Sequence, residues 1–267
     1  MATYLDEILV AHRHAAEQDE RDLTHLERVA RSAPAPRSLV QALLAPGLSV
    51  IAEIKRRSPS KGPLAPDLDP VDLAVSYEEA GAAALSVLTD HDFFGGSFDD
   101  LSRARGATSL PVLRKDFTVS LRDVFDARAH GADALLLIVA ALEDRELAEF
   151  HAAALDLGLD VLVEVHDDEE LEWALRIGAT LVGVNQRDLK TFEVDRERAA
   201  RMIESFPPEV VAVAESGVAS ADDASRLAAV GFDAVLVGEH LVTAAVVEST
   251  VRALVGHEVG RRGSVKR

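Results

Sequence analysis

The stretch His130–Leu137, HGADALLL, sets a glycine between the end of a helical pattern and an apolar run. Glycine suits that place because a helix C-terminus commonly needs a left-handed residue. An apolar run rich in Leu, Val and Ala reads as a parallel strand buried on both faces. The same junction returns as AGAAALSV at 80–87, IGATLVGV at 177–184 and VGFDAVLV at 230–237. Gly158 holds the corresponding position before another strand. Working outward, eight strand candidates follow residue 48: Val50–Ile54, Ala84–Leu88, Pro111–Arg114, Ala134–Val139, Val161–Val165, Leu181–Val184, Val210–Ala214 and Ala234–Val237. Between them apolar residues recur at helical steps, as Leu142, Leu147, Phe150, Ala154 and Leu157 do. Eight strand–helix units predict a closed (β/α)8 barrel, the TIM-barrel class of α/β fold. A doubly wound sheet would carry fewer units and a Gly-rich dinucleotide loop, and no G-x-G-x-x-G occurs.

Three divisions follow. Residues 1–47 read as an N-terminal helical extension, with stripes at Leu5, Ile8, Leu9, His12 and at Leu23, Leu26, Val29, Ala30, then a short helix at Leu39–Leu44. It is expected to cap one barrel end, and to line a substrate pocket there with equal weight. Residues 48–256 form the barrel, and the basic, Gly-containing residues 257–267 are expected to be a frayed, solvated tail.

Of the 267 residues, 48% are apolar, enough for a large core, and 28 Lys and Arg face 46 Asp and Glu for a net charge of −18. That field repels nucleic acid and anionic lipid, which argues against both as partners. An anionic metabolite would need a locally basic cleft, and cations do gather at Lys55–Lys61 (KRRSPSK) and Arg114–Lys115, with Arg187 near a third strand end. The absence of Cys excludes disulfides and thiol nucleophiles. The start, MATYLDEILVAHRH, lacks the apolar core of a signal peptide, and the longest apolar stretch, Ala134–Leu142, is too short to span a bilayer. A cytoplasmic protein is expected.

The chemistry sits where charges leave apolar strands. Val50–Lys55 (VIAEIK), Leu113–Asp116 (LRKD) and Val161–Val165 (VLVEV) supply Glu53, Lys55, Lys115 and Glu164, and VAVAE adds Glu215. In a barrel such ends converge on the ligand cleft. Two of only five Lys stand there, and a partly desolvated lysine can have its pKa lowered and donate a proton, which Arg cannot do. Lys115 is read as a proton donor. Lys55 is read with equal weight as a donor and as a clamp for phosphate or carboxylate. Crowding of Glu53, Glu164 and Glu215 should raise one carboxyl pKa, with a charged structural ring as the alternative role. Ser216–Gly217 and Gly238 follow the last two strands, where barrels commonly hold phosphate. Asn185 and Arg187 add an amide and a planar cation, and Phe93, Phe94 and Phe117 lie in mouth loops. No metal signal is read from histidine: His12 and His14 are placed on an exposed helix face and His166 at the surface.

The segments IAEIKRRSPSKG, VLTDHDFFGGS, PVLRKDF, LVEVHDDEE, VGVNQRDLKTFEVD and VAESGV together resemble the indole-3-glycerol phosphate synthases, over about residues 4–255. The resemblance implies decarboxylating ring closure of 1-(2-carboxyphenylamino)-1-deoxyribulose 5-phosphate in tryptophan biosynthesis, with no cofactor and no metal. It implies Lys115 as general acid, Lys55 as anion holder and phosphate contact, Glu164 and Glu53 as acid/base groups, Asn185 on substrate hydroxyls, and Glu215 orienting the lysines. Ser58, Phe94, Phe117, Arg187 and Leu236 would contact substrate, and Ser216, Gly217, Gly238 and Glu239 its phosphate. Glu239 departs from the family pattern, where a hydroxyl residue is common. A carboxylate is unhelpful beside phosphate, so its side chain is expected to point away and leave only backbone N–H groups. A monomer or weak homo-oligomer is expected. The related isomerase barrel of the same pathway uses a Cys base, absent here. A non-catalytic sugar-phosphate barrel would have no use for Lys115, Glu53 and Glu164 together.

Overall fold

The computed structural model describes residues 3–262. Eight parallel strands close into one barrel: β1 (Ser49–Ile54), β2 (Ala84–Leu88), β3 (Val112–Lys115), β4 (Ala134–Ile138), β5 (Asp160–Val165), β6 (Leu181–Asn185), β7 (Val211–Glu215) and β8 (Ala234–Val237), each beside its sequence neighbour and β8 beside β1. The outer layer is α4 (Pro70–Glu79), α5 (Phe98–Ala107), α6 (Leu121–Ala129), α7 (Asp144–Asp156), α8 (Asp168–Arg176), α9 (Arg198–Met202), α10 (Ala221–Val230), α11 (Glu239–Val242) and α12 (Val247–Leu254). No helix among the described residues is long and apolar enough to cross a membrane.

Strand alternation divides the core in two. One set, including Val50, Leu85, Leu135, Val163, Val182 and Val235, packs against the helices. The other, including Ile51, Leu113, Leu136, Leu162, Val213 and Leu236, fills the barrel interior. Glu53, Lys115, Glu164 and Glu215 each lie two residues beyond such an inward position. Their charges therefore point into the barrel at its C-terminal end. The strands β6 and β7 run one residue past the apolar stretch, because the ladder continues through Asn185 opposite Glu215.

Helix starts follow local chemistry. Ser97, Ser120, Asp167 and Ser220 cap α5, α6, α8 and α10, each accepting the backbone N–H three residues on. Each cap begins a helix just after a loop at the barrel mouth. The junction glycines have positive φ, from 79° at Gly158 to 109° at Gly231. The HGAD and VGFD repeats add a second device. Asp133 accepts the Val112 N–H (2.9 Å) and Asp233 the Ala212 N–H (2.8 Å), fastening the bases of neighbouring strands.

The extension does more than cap one end. Helix α1 (Tyr4–Gln18) lies at the mouth, where Tyr4 meets Phe93 and Phe192 edge-on. Helix α2 (Leu23–Ser32) runs beside α6, with Arg21 bonded to Asp126. Helix α3 (Leu39–Leu43) closes the opposite end: its buried leucines join the interior cluster, and Ser38 and Val40 bond Asp160 at the start of β5. Residues 257–262 are not frayed. Gly260 N–H bonds Ala228 O, and Arg262 pairs with Asp233 at 2.7 Å while donating to Val210 O. The rest of the expected tail, 263–267, lies outside the described residues.

Candidate active site

A cavity of about 430 Å³ opens at the C-terminal end of the strands, a size that suits a small-molecule ligand. Each residue to which the resemblance assigns a role lines it: Glu53, Lys55, Ser58, Phe94, Lys115, Phe117, Glu164, Asn185, Arg187, Glu215, Ser216, Gly217, Leu236, Gly238 and Glu239. Leu5 and Ile8 of α1 complete one wall, so the extension does line the cavity. Phe93 is drawn off to Tyr4 instead. Arg114 also faces elsewhere, pairing with Asp116 at 2.9 Å behind the barrel wall.

Lys115 is the hub. Its Nζ donates to Glu164 Oε2 at 3.1 Å and lies 3.5 Å from Glu215 Oε2. Lys55 pairs with Glu53 beside it. Small residues admit these carboxylates: a Cβ on Gly183 would overlap Glu215 Oε1, and one on Gly238 would overlap Glu53 Oε1. Asn185 Nδ2 donates to Glu164 Oε1 at 3.0 Å, and its Oδ1 accepts the Arg187 N–H at 2.9 Å. The amide thus holds Glu164 in place.

The electrostatics correct one expectation and refine another. Burial alone would lower the Lys115 pKa, but Glu164, Glu215 and Glu53 outweigh it and raise the pKa above the ordinary lysine value. The ammonium is held, not loosened. Among the acids, Glu215 takes the raised pKa. Burial first, then the Glu164 charge, push it up to about 8 against the opposing pull of Lys115. Its Oε1 is buried with no hydrogen-bond partner. Burial would likewise raise Glu164, but Lys115, His166 and the Asn185 bond reverse the sign and lower it. One carboxyl is neutral and its neighbour charged at neutral pH.

At the outer end Ser216 (φ 64°) and Gly217 (φ 78°) follow β7 in left-handed conformations. For the serine this costs on the order of 1–3 kcal/mol, a strain found chiefly at functional sites. Ser58 Oγ, on the hairpin formed by Arg57–Ser58 and Gly62–Pro63, is buried without a partner. Glu239 does not point away. Its carboxylate contacts Lys61 of that hairpin and lies 4.0 Å from Arg187 Nη2.

Two histidines, His166 and His12, lie inside rather than at the exposed positions expected from sequence. His166 is largely buried, 3.7 Å from Glu164 and 3.0 Å from Glu170. Burial lowers its pKa, but Glu170 and Glu164 raise it by more. Two residues beyond Glu164, it keeps the inward phase of β5, and that period was the available signal. His12 faces inward from α1 and bonds Asp90 at 2.8 Å, so its pKa too is raised despite burial. Asp90 in turn accepts the N–H groups of Phe93 and Phe94, linking α1 to the aromatic loop. The stripe of Leu5, Ile8, Leu9 and His12 already sets His12 on the inward face of α1, but not its partner. His12, Asp90 and Asp116 form a cluster of metal-ligand type, but its carboxylates already serve backbone N–H groups and Arg114.

The fold alone is shared with a thiamine phosphate pyrophosphorylase from Pyrococcus furiosus, at 20% identity and a TM-score of 0.59 over 78% of this chain and 93% of that one. Sequence relatives are far nearer. The chain is 50% identical over 256 residues to an indole-3-glycerol phosphate synthase of Mycolicibacterium gilvum, covering 95% of this chain and 94% of the relative. It is 49% identical over 245 residues to one from Chlorobium chlorochromatii, covering 90% and 95%. The profile of the family described as indole-3-glycerol phosphate synthase matches residues 5–254. The chain belongs to the indole-3-glycerol phosphate synthase family.

Proposed function

We propose that the ring of Lys115, Glu164, Glu215, Glu53 and Lys55 carries out the ring closure for which this family of decarboxylating lyases in tryptophan biosynthesis is named. The substrate is 1-(2-carboxyphenylamino)-1-deoxyribulose 5-phosphate, and the products are indole-3-glycerol phosphate, carbon dioxide and water. Lys115 gives a proton to the ketone oxygen as the ring carbon bearing the carboxylate attacks the ketone carbon. A high pKa suits this role, because the developing alkoxide is more basic than the amine and the donor is always loaded. Carbon dioxide then leaves with the electrons of its carbon–carbon bond neutralising the iminium formed in the attack. Glu164, charged and held by Asn185, removes the ring proton in dehydration, and Lys55 with Glu53 serves the departing hydroxyl. Neutral Glu215 supports Lys115 without adding negative charge against an anionic substrate.

Phe94, Phe117, Leu236, Leu5 and Ile8 supply the apolar walls for an aromatic ring. Ser216, Gly217, Gly238 and Ser58 surround the phosphate end, after the strands where barrels commonly hold that group. The single observation that carries the reading is Lys115 between Glu164 and Glu215 at the head of one cavity. The large exposed apolar side chains, such as Val10, Leu44, Leu155 and Val246, are few and lie on separate elements, which supports a monomer or weak homo-oligomer. A biosynthetic role on a small metabolite supports work in the cytoplasm.

The test is the appearance of indole fluorescence from purified protein and substrate. Turnover is expected without added cofactor and undiminished by a metal chelator. The pH profile adds a sign. Glu215 ionises as pH rises through about 8, placing a further negative charge beside the substrate and binding the Lys115 proton harder. Activity should therefore fall above that pH, and Glu215→Gln should flatten this alkaline limb. An absent fluorescent product would refute the activity. A limb unchanged in the variant would refute the role of Glu215.

A further inference from the structure

Five cationic and five carboxylate side chains line the cavity. With Glu215 neutral, five cations face four charged carboxylates, so a ligand bearing a phosphate and a carboxylate meets a wall with little net attraction. Some cations must be released to it. Lys55 and Lys115 are tied to acids inside the barrel. Lys61 and Arg187 are different: among the described residues each has Glu239 as its only carboxylate partner. The Lys61–Glu239 contact joins the hairpin after β1 to the residue following Gly238, and its side chains are 55% and 34% exposed. Such an exposed pair is held weakly and is easily exchanged for a better anion.

We propose that Glu239 is a built-in competitor, a carboxylate that occupies Lys61 and Arg187 in the empty site and must surrender them to the phosphate of the substrate. This rests on the ring-closure reading for the identity of the ligand, not for the competition itself. A phosphate dianion brings more charge and more acceptor oxygens than one carboxylate, so it displaces Glu239. The displacement costs affinity on every binding event. Because Lys61 rides on the hairpin, the same exchange moves that hairpin's anchor from α11 to the ligand.

The experiment is calorimetric titration of the full chain with inorganic phosphate at low ionic strength, for wild type, Glu239→Gln and Lys61→Met/Glu239→Gln. The expected result is phosphate binding tightened about two- to fivefold in Glu239→Gln, with the gain reduced in the double variant. The KM for the phosphorylated substrate should fall in parallel. Unchanged or weaker phosphate binding in Glu239→Gln would overturn the proposal, and would make Glu239 a tether that the bound state needs. Calorimetry reads phosphate without turnover, so loss of the catalytic reading would leave this result standing or falling alone.

Discussion

Lys115→Met is expected to lower kcat by about 10³-fold, within the range of about 10²–10⁴ that a positioned general acid contributes, while substrate affinity changes little. The methionine keeps the volume of the aliphatic stem and removes the ammonium at the centre of the ring. Lys115 touches Glu164 and Glu215, so its loss also strands buried acids, which respond by taking up protons. Thermal melting should therefore accompany the kinetics, with Lys115→Arg as the charge-preserving control. Arg keeps the cation but cannot act as an acid at neutral pH. A folded Lys115→Arg protein with near-native turnover would remove Lys115 from the role of acid.

The largest stability effect is expected far from the cavity, at Asp133. This side chain is wholly buried. It accepts the Arg37 N–H (2.8 Å) and Val112 N–H (2.9 Å) and pairs with Arg105 at 2.9 Å. One carboxylate thus joins the extension, α5 and the base of β3. Removing it leaves a guanidinium and two N–H groups unsatisfied, and breaking a buried pair in this way costs about 3–5 kcal/mol. Denaturant titration of Asp133→Ala should show a loss of this order, with kcat retained in the fraction still folded. A loss under about 1 kcal/mol would mean that water can replace the contact.

Asp133 also shows what the chain made legible. The Gly-x-Asp junction was visible as a repeat, and its glycine and strand were read from it. That its aspartate fastens neighbouring strands, as Asp233 does too, needed the closed barrel to be seen. The strands were legible because period-two burial and β-propensity are local. The charges at their ends were legible because a buried run tolerates them only where it opens to a cleft. All of these residues do meet in one cavity.

What escaped the reading depends on contacts between distant segments. The partner of His12, Asp90, lies 78 residues away. The turn of Glu239 toward the cavity is set by Lys61, 178 residues away. The direction of the Lys115 shift could not be read either, since burial and three acids oppose each other and only distances decide the sum. Residues 257–262 looked like a tail because their partners, Asp233 and the carbonyls of α10 and the β7 loop, are tertiary.

Lys115 and Glu164, proposed to work as one device, are probed together by a double-mutant cycle on kcat/KM for indole formation. Lys115→Met and Glu164→Gln should each be severely impaired, and the double variant no worse than the poorer single one, because a unit already broken loses nothing more. Losses that multiply in the double variant would show two groups working independently, and would contradict a joint role.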